Sequence, residues 1–93
     1  MRLQWTPAAM RDVKRAVRDD PALESRLGAA LARLTADPHD PRLHTHKLRG
    51  PLADRWAASI DFDNRVLFRF EHDAGSGEEF ILLLAIGSHD AVY

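Results

Sequence analysis

The spacing of hydrophobic positions changes twice along the chain. Residues 1–5 alternate apolar and polar, with Met1, Leu3 and Trp5 set against Arg2 and Gln4, which predicts a short strand. Thr6-Pro7 then reads as a helix N-cap followed by proline at the first helical position. Over residues 7–18, Met10, Val13, Ala16 and Val17 recur every three or four residues, leaving Arg11, Asp12, Lys14, Arg15 and Arg18 for water, so an amphipathic helix is expected. Asp20-Pro21 repeats the start signal, and Leu23, Leu27, Ala30, Leu31 and Leu34 predict a second helix to about residue 36. The connection is short, which makes the two helices antiparallel neighbours.

Pro38 and Pro41 both oppose regular structure, so residues 37–43 read as a loop. Beyond it the period returns to two. Trp56, Ala58, Ile60 and Phe62 fall on one face and Arg55, Ala57, Ser59 and Asp61 on the other, up to a turn at Asp63-Asn64. Residues 65–71 follow with Val66, Phe68 and Phe70 inward and Arg65, Leu67, Arg69 and Glu71 outward. After a Gly/Ser-containing connection at 73–78, the unbroken apolar run 80–86 suits a central strand covered on both faces. The predicted fold is α+β, a single domain spanning 1–93: an N-terminal strand, a two-helix hairpin and a three-stranded antiparallel meander, the helices covering one face of a small antiparallel sheet. Trp5 and Trp56 are expected to pack in the core. The uncovered face would carry Arg65 and Arg69 in a shallow basic concavity able to hold a single-stranded polyanion.

A 93-residue chain supplies one hydrophobic core, with a thin stability margin unless a disulfide, a metal or a partner adds to it, and there is no cysteine. A bound partner is therefore plausible. Absence of cysteine suits a reducing compartment, no apolar run approaches the roughly 20 residues that span a bilayer, and the first six residues lack the apolar stretch of a signal peptide. A cytoplasmic protein without a membrane partner is expected. The formal net charge of −1 argues against a general nucleic-acid binder, but its distribution is uneven. Residues 1–41 hold seven Lys/Arg against six Asp/Glu, residues 42–69 six against three, and residues 70–93 none against five. His44 and His46 lie inside the basic middle segment. His39, His44 and His46 with Asp37 and Asp40 match no metal-binding spacing that carries a mechanism, so no metal or other cofactor is expected.

Five segments, taken in order, carry a resemblance. They are the Met-Arg-Leu-Gln-Trp-Thr start, Asp37-Pro38, His46-Lys-Leu-Arg-Gly50, Ile60-Asp-Phe-Asp-Asn-Arg-Val-Leu-Phe-Arg69 and Ile86-Gly-Ser-His-Asp-Ala-Val-Tyr93. Together they resemble the RelE/ParE superfamily of toxins from type II toxin–antitoxin modules over nearly the whole chain. The Gly-Ser-His-Asp-x-x-Tyr ending is most similar to the YafQ branch, and Arg-Trp-Ala-Ala-Ser-Ile is similar to YoeB as well. The resemblance implies a RelE-like sheet, an endoribonuclease that cuts mRNA on the ribosome, and a cognate antitoxin that binds the toxin in a hetero-oligomer and obstructs its catalytic face.

Cleaving RNA with side chains alone needs a base for the 2′-hydroxyl proton, a cation for the pentacoordinate phosphate and an acid for the departing 5′-oxygen. Histidine suits both proton transfers because its unperturbed pKa of about 6.5 lies near the working pH. By the resemblance, His46 is the general base, His89 the general acid and Arg65 the phosphate clamp, a group that stays charged and can bridge two phosphate oxygens. Asp63 would orient a histidine and Tyr93 would stack on a base. His44, Lys47, Arg49 and Arg69 would bind flanking RNA, and His44, two residues from His46, remains an alternative base. Two other functions share the fold: a ParE-like inhibitor of DNA gyrase, which has no use for the histidine pair, and a catalytically degenerate homologue kept to bind the antitoxin.

Overall fold

The computed structural model describes residues 1–88, so the predicted site residues His89 and Tyr93 lie outside the described residues. Along these residues run β1 (Arg2–Trp5), α1 (Pro7–Asp19), α2 (Leu23–Ala36), β2 (His46–Lys47), β3 (Trp56–Ser59), β4 (Asn64–His72) and β5 (Glu79–Ser88), with 3-10 turns at Pro41–Leu43 and Gly50–Leu52. The fold is α+β, as predicted.

Local chemistry accounts for most of these boundaries. Thr6 is extended, and its Oγ1 accepts the Ala9 N–H at 3.1 Å while donating to the Leu83 carbonyl at 2.8 Å. One hydroxyl thus starts α1 and fastens it to the sheet. The second start signal works differently. Asp20 closes α1, Pro21 and Ala22 form a turn, and α2 begins at Leu23 without a side-chain cap. The Asp20 carboxylate is instead drawn to Arg26 at 3.1 Å. Residues 37–43 are likewise not wholly irregular: Asp40 accepts the Arg42 N–H and Pro41 opens a 3-10 turn, a position at which proline lacks no needed donor.

The sheet order is β1-β5-β4-β3-β2, with β1 parallel to β5 and the other pairs antiparallel. It is therefore mixed, where an antiparallel sheet was predicted. β2 is an addition to the predicted strands, since two residues are too few to show a period. Gly50, at a φ of 67°, ends the His46–Gly50 motif in a backbone conformation that favours glycine.

Leu23, Leu27, Ala30 and Leu34 of α2 pack with Ala58, Val66, Phe68, Ile81, Leu83 and Ile86 of the sheet, and Trp5 and Trp56 lie half-buried at the margin. Burial of each Leu, Ile or Phe contributes about 1.5–3 kcal/mol, so this face holds most of the stability. The opposite face is not simply wet and basic. Leu48, Ala57 and Leu67 form a second apolar cluster with Leu52 and Ala85, and Leu67, predicted outward, is buried. Phe62 departs furthest from the predicted pattern. β3 stops at Ser59, and the ring is 91% exposed instead of facing inward.

Candidate functional site

Asp61 stops β3 by turning the chain. Its Oδ1 accepts the N–H groups of Asp63 (3.0 Å) and Asn64 (2.9 Å) and the Asn64 side-chain amide (2.9 Å). Its Oδ2 accepts Arg26 Nε from α2 at 2.8 Å. Partial burial raises the Asp61 pKa, but the hydrogen bonds from the Asn64 side chain, Arg26 and the two amides outweigh it, and the carboxyl is held below its usual value. Arg26 in turn pairs with Asp20 at the end of α1, so the β3–β4 turn is braced by both helices.

This braced turn positions Arg65. Its Nη1 donates to the carbonyls of Asp61 (2.7 Å), Phe62 (3.1 Å) and Asn64 (3.0 Å). The guanidinium is fixed by neutral acceptors, and among the described residues no carboxylate pairs with it. A cation held in this way keeps its full charge for an incoming anion.

The sheet register sets which residues share its face. His46, Ala57, Leu67 and Ala85 lie opposite one another across β2, β3, β4 and β5, and Ser59, Arg65 and Gly87 form the next outward-facing row. His46 and Arg65 are thus on one face, two strands apart and one row offset, roughly 12 Å between their Cα atoms at ordinary sheet spacing. The His46 Nδ1 lies 2.9 Å from the His44 carbonyl oxygen. A carbonyl only accepts, so Nδ1 is the donor in this contact.

His44 shares a surface depression with Arg65. It caps the Pro41–Leu43 turn in the left-handed region at a φ of 49°, the one positive φ at a non-glycine among the described residues. With Arg42, Ser59, Asp61, Phe62 and Arg65 it lines a depression of about 350 Å³. Arg42 is less available than the other cations, being held on Asp40 at 2.7 and 3.1 Å. The side-chain hydrogen bond from Arg42 is the main reason the Asp40 pKa is lowered to about 2.

The remaining predicted site residues do not all gather here. Asp63 is exposed in the turn beside Phe62. Lys47 lies opposite Trp56, so it is on the sheet face away from His46. Arg49 is exposed ahead of the Gly50–Leu52 turn. Arg69 shares the outward face but faces Asp54 at 3.5 Å and Glu71 at 2.9 Å, the latter without hydrogen-bond alignment, so its charge is largely answered within the protein. Neither Asp61 nor Phe62 was a predicted site residue. An aspartate three residues before an asparagine is the signal that could have found the turn.

Compared with models of protein families and with curated protein sequences, the chain matches none. Solved structures do match. A YoeB/ParE toxin from Agrobacterium tumefaciens superposes with a TM-score of 0.76 at 19% identity, over 96% of this chain and 99% of that one. YafQ from E. coli gives 0.77 at 15% identity, over 100% and 99%. The chain has the RelE/ParE toxin fold. The same fold is seen in the E. coli DinJ–YafQ toxin–antitoxin complex, at a TM-score of 0.74 and 17% identity over 98% of this chain and 94% of that one. In the RelE/ParE fold of this chain, the outward sheet face and the β3–β4 turn place His44, His46 and Arg65 on one side of the molecule.

Proposed function

We propose that the chain is the toxin of a type II toxin–antitoxin module, a ribosome-dependent endoribonuclease that cuts mRNA by 2′-hydroxyl attack and is neutralised by a cognate antitoxin. The observation that carries this reading is Arg65, locked by three carbonyls, lacking a carboxylate partner among the described residues, and sharing a face with two histidines. The YoeB and YafQ likenesses support the toxin class, and the DinJ–YafQ complex supports an antitoxin partner.

In this mechanism a histidine Nε2 takes the 2′-hydroxyl proton, the 2′-oxygen bonds to phosphorus, and the phosphorus–5′-oxygen bond breaks. Arg65 stabilises the negative charge that builds on the non-bridging oxygens, the kind of preorganised contribution that commonly changes rates by about 10²–10³. A second histidine, His89 in this proposal, protonates the departing 5′-oxygen, leaving a 2′,3′-cyclic phosphate and a 5′-hydroxyl. His46 shares the outward sheet face with Arg65 and His44 shares its depression, and His44→Gln and His46→Gln variants assign the base role between them.

The test is controlled expression in bacteria of the wild-type chain and of Arg65→Ala and His89→Ala, with mapping of mRNA 5′ ends and of growth. Growth arrest with new mRNA ends in the wild type, lost in both variants, is expected. Equal arrest in all three, or DNA damage with intact mRNA, overturns the ribonuclease reading.

A further inference from the structure

Phe62 has the marks of a ligand platform. Its ring is 91% exposed at the rim of the depression lined by His44, Ser59 and Arg65, in a turn fixed to α2 through Asp61 and Arg26. Its own carbonyl accepts Arg65 Nη1 at 3.1 Å, so the ring and the phosphate-binding cation are held by the same short loop. The depression, about 350 Å³, lies at the lower end of the roughly 300–1,000 Å³ of small-molecule sites, room for about one nucleotide. Folding gains little from an aromatic ring left in water, and no other large hydrophobic side chain among the described residues is comparably exposed: Met1 and Met10 are at 39% and 44%.

We propose that Phe62 is a binding residue on which a base of single-stranded RNA stacks, next to the phosphate held by Arg65. The inference rests on the ribonuclease reading above and adds to it a residue that positions the substrate. A flat ring on the same short loop as a guanidinium without a carboxylate partner among the described residues matches a polymer whose repeat is a flat base joined to a phosphate, and stacking of this kind tolerates any base because each has a π-face. The surroundings fit this better than an apolar partner segment, because the depression takes in His44 and an Arg65 without a carboxylate partner among the described residues, while its one carboxylate, Asp61, is engaged by Arg26 and the turn amides.

The test uses the purified full chain on ribosomes carrying a defined mRNA, with the base removed in turn from each nucleotide flanking the cleavage site. For the wild type, removal of one particular base slows cleavage between about 5- and 150-fold, the range of one base–aromatic stack. Phe62→Leu slows cleavage of the intact mRNA to a similar extent, and base removal costs it nothing further; Phe62→Trp restores both the rate and the sensitivity. If base removal slows wild type and Phe62→Leu equally, the stacking role is wrong while the nuclease reading stands. If Phe62→Leu cleaves normally but loses its antitoxin, the ring is a protein anchor and the proposal fails. If the wild type cuts no mRNA under any of these conditions, the proposal falls together with the reading beneath it.

Discussion

Removing the Asp61 carboxylate tests whether the β3–β4 turn is held as described. Asp61→Ala deletes three bonds that close the turn and one to Arg26 on α2. Bonds to a charged acceptor contribute about 1.5–3 kcal/mol when fully buried, but here water can reach part of the turn, so the simple sum overshoots. The Arg26 pair counts for less than about 1 kcal/mol because the arginine is 44% exposed. A total near 2–3 kcal/mol is expected, which for a domain of this size lowers the melting temperature by about 10–20 °C. Asp61→Asn keeps an oxygen for the turn amides and loses the charge, so it should cost about 1 kcal/mol. The pH dependence has a definite sign. The folded pKa of Asp61 lies below its unfolded value of about 3.9, so its stabilisation is complete above that value and disappears as pH falls through the folded one. The gap between wild type and Asp61→Asn in urea unfolding should therefore be flat from about pH 7 to 5 and close at more acid pH. Thermal unfolding by circular dichroism with Asp61→Ala melting within 2 °C of wild type, or a gap that widens on acidification, would refute the reasoning.

Other consequences can be measured the same way. Thr6→Ala removes the α1 cap and its tie to Leu83 and should cost about 1–2 kcal/mol in urea unfolding, with a change below a few tenths ruling out the cap. Phe68→Ala opens the centre of the helix-covered face, where the ring is fully buried, and should cost about 3–5 kcal/mol, enough to leave the isolated chain barely folded. Phe62→Leu, by contrast, should change stability by less than about 0.5 kcal/mol because the ring is exposed, and a larger loss would mean that it packs on something. Arg65→Lys keeps the charge but cannot satisfy the three carbonyls and still present further donors, so under the proposed ribonuclease function cleavage by this variant should fall nearly as far as for Arg65→Ala.

Whatever depends on side chains a few residues apart was legible in the chain itself. Thr6-Pro7 started α1 where the spacing said it would, the leucines of α2 and the Val66, Phe68 and Phe70 stripe of β4 found one core, and the apolar run of β5 lies between β1 and β4. Local periodicity encodes which face is apolar, and burial follows it wherever the backbone stays regular. The tertiary structure decided the rest. The parallel pairing of β1 with β5 joins residues 78 positions apart, such as Arg2 and Phe80, a separation about which periodicity carries no information. Burial of Leu67 depended on residues 48–52 crossing a face that an alternating pattern marks as wet. Phe62 follows the inward pattern in sequence but lies beyond the point where Asp61, fastened to Arg26 of a distant helix, captures the backbone and ends β3. The same long-range contact fixes Arg65 and Phe62 beside His44, because a carboxylate that gathers amides from its own turn and a guanidinium from another element overrides the period of the strand it interrupts.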